Sequence, residues 1–223
     1  MADDMNVTER SNLISAELEG KLSEFFKKLS APVVLCCIAA EDEKSGEMQI
    51  FLKHLVSLSD KLTLHIAAPG ENPEWERLFG LGLYPATAFW NDSGFCRASF
   101  HGVPGGHELS SFITEILTAG GGSDPLDRPT LHDISRIKNP IELIVCVSLS
   151  CQHCAKLVMA GQRIAFENAN VTTHMVDANL YPELVAKYQI QRVPVIVSGD
   201  RILAVGGMTL FELSSLLRKQ EGA

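Results

Sequence analysis

The chain has 223 residues, 46% of them hydrophobic and 21% charged, which is room for one large domain or two of about 100 residues with an ordinary core. A formal net charge of −8 excludes a surface that draws in nucleic acid or an anionic membrane by long-range electrostatics. The opening segment lacks the features of a secretory signal, and no apolar run approaches the ~18 residues of a membrane span, so a reducing, cytoplasmic setting is expected.

Residues 1–30 read as an added helix, because Leu13, Ile14, Leu18, Leu22, Phe25 and Phe26 recur at helical spacing. A strand is expected from Pro32 to Ile38, a helix from Gly46 to Leu58, a strand from Lys61 to Ala67 and a helix from Pro73 to Phe79. Ala86–Trp90 and Arg97–His101 then read as a hairpin, and Glu108–Leu117 as a closing helix. Gly120-Gly121-Gly122-Ser123-Asp124-Pro125 breaks the chain, with a short helix over Pro129–Arg136.

The second half repeats the order β-α-β-α-β-β-α. Ile141–Val147 is a strand, residues 152–168 a helix, Val171–Val176 a strand and Pro182–Tyr188 a short helix. Gly199-Asp200 joins strands Pro194–Val197 and Ile202–Val205, and Thr209–Lys219 closes with a capping box at Thr209 and Glu212. Pro85 parallels Pro194, and Glu108-Leu109-Ser110-Ser111 parallels Glu212-Leu213-Ser214-Ser215. The expected organisation is a helical extension over 1–30, one fold over 31–120, a linker over 121–139 and a second fold over 140–223.

Registering the halves sets Asp42 opposite Cys151 and Ser45 opposite Cys154, so thiols occupy the strand-to-helix junction of the second copy alone. A cysteine ahead of a helix faces unpaired N–H groups and the positive end of the macrodipole, and both favour thiolate. Cys151-Gln152-His153-Cys154 therefore reads as a dithiol–disulfide pair on a thioredoxin-like α/β fold. Cys151 is expected to be the exposed nucleophile and Cys154, one turn along the same helix face, the thiol that resolves the mixed disulfide. A zinc half-site is the competing reading, but no second pair of ligand-spaced cysteines or histidines completes it. Pro194 opens a strand that would ordinarily reject proline, and a cis Val193–Pro194 bond explains it, with Val193 free to pair with an extended partner chain.

Ser148-Leu149-Ser150-Cys151-Gln152-His153-Cys154 resembles the active-site segment of the N-terminal domain of the alkyl hydroperoxide reductase flavoprotein subunit, a tandem of thioredoxin folds with a redox-active second copy. The resemblance extends through Leu29-Ser30-Ala31-Pro32-Val33, Leu58-Ser59-Asp60-Lys61-Leu62-Thr63, Gly102-Val103-Pro104-Gly105-Gly106-His107-Glu108, Val193-Pro194 and Gly207-Met208-Thr209-Leu210. It implies electron transfer from a flavoprotein reductase of the thioredoxin-reductase type to a peroxiredoxin or other disulfide protein, with Cys151 attacking and Cys154 resolving. It also implies that Glu108, in the inactive fold, lies near the thiols and tunes them; a carboxylate serving only the helix start is the alternative. Ala155 stands where the family often has proline, and Gln152-His153 departs from its usual intervening pair. No G-x-G-x-x-G is present, so FAD and NAD(P)H are expected only on a separate reductase chain.

Cys36, Cys37 and Cys146 read as core thiols and Cys96 as incidental; His101, His107 and His174 read as hydrogen-bonded structural residues. A general protein disulfide reductase or isomerase and a non-catalytic interaction module are the alternative functions.

Overall fold

A computed structural model describes residues 10–220. In chain order the elements are α1 (Ala16–Phe26), β1 (Val33–Ile38), α2 (Glu43–Val56), β2 (Leu62–Ala67), α3 (Pro73–Phe79), β3 (Ala86–Asn91), β4 (Gly94–His101), α4 (Glu108–Ala119), α5 (Arg128–Ser135), β5 (Ile141–Val147), α6 (Cys154–Glu167), β6 (Val171–Asp177), α7 (Pro182–Lys187), β7 (Val195–Ser198), β8 (Arg201–Val205) and α8 (Leu210–Gln220). All eight strands join one sheet in the order β2-β1-β3-β4-β6-β5-β7-β8. Within each half the first two strands pair in parallel and the last two form an antiparallel hairpin, so the chain is a mixed α/β tandem of thioredoxin-like folds. The halves meet where β4 runs parallel to β6, with Ala98 opposite Thr173 and His101 opposite Val176.

A hydrogen-bonded chain crosses that seam. His101 Nδ1 lies 2.8 Å from the Leu83 carbonyl and must donate, because a carbonyl oxygen only accepts. Its Nε2 then accepts from the Ser99 hydroxyl at 2.9 Å, and the Ser99 oxygen accepts from His174 Nδ1 at 2.7 Å. Burial pushes His101 down to about 3, in keeping with a neutral ring. His174 Nε2 faces the Glu142 carboxylate at 3.2 Å and holds that carboxyl below its usual range. Three buried polar side chains on the seam, Ser99, His101 and His174, are thus satisfied by one another together with the Leu83 carbonyl and Glu142.

The main core runs through both halves, from Leu22, Phe51 and Phe112 to Leu157, Ile164 and Leu217. Helices α4 and α6 pack together over it.

Several boundaries differ from those expected. The amino-terminal helix covers 16–26 instead of 1–30, because the Ser15 hydroxyl caps it by accepting from Leu18 N; Leu13 and Ile14 precede it, and residues 1–9 lie outside the described range. The second helix starts at Glu43, three residues ahead of Gly46, because Asp42 caps it through Ser45 N at 2.8 Å. Helix α6 begins at Cys154, so Cys151 lies in the turn before it and not on a shared helix face. Glu108 and Glu212 do not play equivalent parts. Glu108 is the buried first residue of α4, whereas Glu212 is exposed and closes the expected box, accepting from Thr209 N while its own N–H reaches the Thr209 hydroxyl.

Candidate redox site

Strand β5 is apolar and buried from Leu143 to Val147, then gives way to the polar turn Ser148–His153 before α6. Cys151 N donates to Ser148 O at 2.9 Å and Cys154 N to Cys151 O at 3.3 Å, which folds the turn tightly. Those bonds bring the two Cα atoms to 5.5 Å, and Cys151 and Cys154 are joined as a disulfide. Cys154 is fully buried under α6, while Cys151 keeps partial exposure and Gln152 and His153 are exposed. A partner can therefore reach one sulfur of the pair and not the other. Cys151 is less open than a freely exposed residue, because it packs against the main core.

The first fold preserves this geometry without sulfur. At the positions of Cys151 and Cys154 stand Asp42 and Ser45, and Asp42 Oδ2 accepts from the Ser45 hydroxyl at 2.8 Å. The same carboxylate caps α2, and those bonds hold it below the usual carboxylate range. Tyr84–Pro85 and Val193–Pro194 are both cis. The Pro85 and Pro194 carbonyls each accept from a positive-φ glycine beyond the following hairpin, Gly102 at 2.9 Å and Gly206 at 2.8 Å. Nothing in the sequence beyond the Pro85–Pro194 match signals the cis Tyr84–Pro85 bond.

Residues of the first fold brace the redox turn. His107 N donates to Leu149 O at 3.0 Å, and at Gly106 (φ 56°) a Cβ would collide with that same carbonyl. Gly102, earlier in this loop, lies against Asp177, where a Cβ would sit 3.2 Å from the aspartate Cβ. The loop delivers Glu108, fully buried, which accepts from Ser111 Oγ at 2.6 Å through one oxygen and has no partner for the other. Burial, helped by the nearby charge of Asp177, raises its carboxyl to about 7 despite the Ser111 bond. From β6, Asp177 accepts from Asn179 N at 3.0 Å, and Asn179 Nδ2 donates to Ser148 Oγ at 3.3 Å, itself 3.2 Å from Ser150 Oγ. Ser148 belongs to the segment that carries the family resemblance, whereas Asp177 and Asn179 had no signature in the sequence.

The remaining cysteines are buried thiols. Burial raises Cys36, Cys96 and Cys146 to about 12 and Cys37 to about 11. Cys96, expected to be incidental, is a buried residue of the main core, with its thiol 3.9 Å from the Gly94 carbonyl. Among the described residues, no group of three or more His, Cys, Asp or Glu is placed to hold a metal ion, and no helix is long and apolar enough to cross a membrane. A cavity of about 860 Å³ opens beside His153 and Met208, between α4, α6 and the start of α8.

The sequence pattern of the Thioredoxin domain family matches residues 141–218. The alkyl hydroperoxide reductase F-subunit of Pseudomonas aeruginosa is 29% identical over 201 residues, covering 90% of this chain and 36% of that protein, so the chain spans about a third of the length of such relatives. A protein disulfide oxidoreductase from Aeropyrum pernix shares the fold, with a TM-score of 0.84 at 18% identity over 96% of this chain and 97% of that one. The crystal structure of the N-terminal domain of the Enterococcus faecalis alkyl hydroperoxide reductase F-subunit superposes with a TM-score of 0.85 at 31% identity, over 91% of this chain and 99% of that one. With a redox disulfide at the helix start of its second fold, this chain belongs to the family of alkyl hydroperoxide reductase F-subunit N-terminal domains and is a thioredoxin-fold thiol–disulfide oxidoreductase.

Proposed function

We propose that the chain relays electrons from a flavoprotein reductase of the thioredoxin-reductase type to a peroxiredoxin or similar disulfide protein in the cytoplasm, through Cys151 and Cys154. The observation that carries this reading is the asymmetry of the pair, with Cys151 partly exposed in the turn and Cys154 fully buried at the first position of α6. In the reducing step, a donor thiolate attacks Cys151 Sγ, the Cys151–Cys154 bond breaks and Cys154 takes up a proton. The second donor thiol then attacks the mixed disulfide, leaving oxidised donor and reduced dithiol. In the delivering step, the Cys151 thiolate attacks the partner disulfide. Cys154 loses its proton, attacks Cys151 Sγ and releases the partner as dithiol, so two electrons pass and the Cys151–Cys154 disulfide returns.

The helix amino end favours the Cys151 thiolate over the thiol. Glu108, buried and half-partnered at the start of a helix packed on α6, is the proton carrier for Cys154. Val193, ahead of Pro194, offers backbone groups to the partner's extended chain, and Gln152 and His153 form the exposed contact beside the sulfur. Residues 31–120 and 140–223 act as the supporting and working folds, joined by the 121–139 linker and preceded by the 1–30 extension. The chain itself carries electrons on sulfur, with flavin and nicotinamide confined to the reductase.

Cys154→Ser should trap the natural acceptor as a stable mixed disulfide, and a peroxiredoxin in that adduct is the expected result. A spread of unrelated proteins would point instead to a general disulfide reductase. Reduction of a generic protein disulfide that survives Cys151→Ser would overturn the mechanism.

A further inference from the structure

We propose that Asp177 is a positioning residue of the redox centre: it fixes the Ser148–Ser150 turn through Asn179, and its charge keeps the exchangeable proton on Glu108. The inference rests on the proton-carrier reading of Glu108 and extends it to a second carboxylate in the other fold.

The geometry is two-sided. Asp177 closes β6 in register with Val147, the last residue of β5 before the redox turn, and Ala178 N donates to Val147 O at 2.9 Å. Through Asn179 its carboxylate reaches Ser148, whose carbonyl receives the Cys151 N–H. On the opposite side the Gly102–Glu108 loop presses on Asp177 at Gly102 and on Leu149 at Gly106. The two carboxylates therefore flank one short turn, Glu108 from α4 of the first fold and Asp177 from β6 of the second.

Two buried carboxylates that feel one another do not both ionise at ordinary pH. The charged groups around them decide which one gives way. Burial raises the Asp177 carboxyl as well, but the Asn179 bonds and the Lys44 ammonium, from the stretch of the first fold between Asp42 and Ser45, oppose that rise. Tyr181 and Asp42 stand on the same side, and the tyrosine is pushed up to a neutral phenol by burial and by these acids. Glu108 has the Ser111 hydroxyl on one oxygen and, among the described residues, no partner on the other. The negative charge settles on Asp177 and the proton on Glu108, where it serves Cys154. Lys44 thereby gives the sulfur-free motif of the first fold a part in the chemistry of the second.

The test is the pH dependence of disulfide reduction by dithiothreitol in wild type, Asp177→Asn, Glu108→Gln and the double variant, together with the midpoint potential of each. Asn retains an oxygen for Asn179 N, so the turn stays anchored while the charge is lost. Asp177→Asn should move the limb set by Glu108 to lower pH by on the order of one unit, and in the Glu108→Gln background the same change should have no further effect. Asn179→Ala, which loosens the turn but keeps the charge, should leave that limb in place. An unmoved limb in Asp177→Asn, or an equal movement in the Glu108→Gln background, would overturn the proposal. A missing Cys151 dependence would instead sink the redox reading itself, so the two failures are distinguishable.

Discussion

Replacing Glu115 by glutamine should flatten the pH dependence of stability. Glu115 lies on α4 facing α6, is 1% exposed, and has one carboxyl oxygen without a partner. Burial raises its carboxyl from 4.5 to about 8, opposed only by the Arg163 guanidinium. Because the folded-state value lies above the unfolded one, the contribution to stability is fully present below about pH 4.5 and is lost as pH rises through about 8. Between those limits the folded chain binds one more proton than the unfolded chain at this site. The wild type should therefore lose about 1.4 kcal/mol per pH unit from Glu115 alone, and about 5 kcal/mol at most across the window. Urea unfolding of the oxidised protein at pH 5, 6, 7 and 8 reads the slope directly. Glu115→Gln should be shallower by about 1.4 kcal/mol per unit and more stable than wild type at pH 8. The new amide would line the same cavity as Gln162, whose own side-chain amide lacks partners. Parallel slopes for the two proteins would refute the assignment of a neutral carboxyl to this interface.

Alkylation of the reduced protein by iodoacetamide at pH 8 should label Cys151 and leave Cys36, Cys96 and Cys146 untouched, since a thiol at about 12 is ionised only to about one part in 10⁴ at that pH. Peptide mass mapping checks this, and comparable labelling of Cys146 would contradict its burial. Gly106→Val should destabilise the protein by on the order of 2 kcal/mol and slow generic disulfide reduction, because a β-branched residue is strained at φ 56° and drives against the Leu149 carbonyl. Thermal unfolding and the turnover rate measure the two effects, and an unchanged rate in a folded variant would separate the brace from the chemistry.

The repeated order of elements was legible because each strand is a short β-rich run and each long helix carries apolar residues at helical spacing. Cys151, Cys154 and Pro194 stood out because each has a residue-specific chemistry, sulfur or a ring that removes a donor, whereas Glu108 was picked out only by the family resemblance. Helix starts were misplaced where a cap decided them. Asp42 and Ser15 end the competition between turn and helix through one side-chain bond each, which a search for apolar periodicity overlooks. Asp177, Asn179 and their link to Ser148 were invisible for a different reason. Their connection runs from the end of β6 to the end of β5, and nothing local marks an aspartate whose importance lies in an asparagine bonded to a serine 31 residues from it. The seam chain from Leu83 to Glu142 is of the same kind, since Ser99 and His174 are joined only by the register of β4 on β6.

The contrast between Asp42–Ser45 and Cys151–Cys154 shows how one fold of the tandem keeps its turn anchored without sulfur. A disulfide at a helix start ties the turn to the first residue of the helix; a capping carboxylate bonded to a serine hydroxyl ties the same two positions, and adds the backbone bond to Ser45 N. The Asp42–Ser45 pair anchors its turn with no sulfur to exchange. It also leaves a negative side chain, followed two residues later by Lys44, on the side of the molecule where Asp177 and Tyr181 sit. With α4 and α6 packed over a core drawn from both halves, the first fold cannot be detached without uncovering the helix that carries Cys154. Its loop 102–108 meanwhile supplies both the steric brace and Glu108. Under the function proposed above, the sulfur-free copy belongs to the working site, because its loop 102–108 packs on Leu149 and Asp177 and carries Glu108.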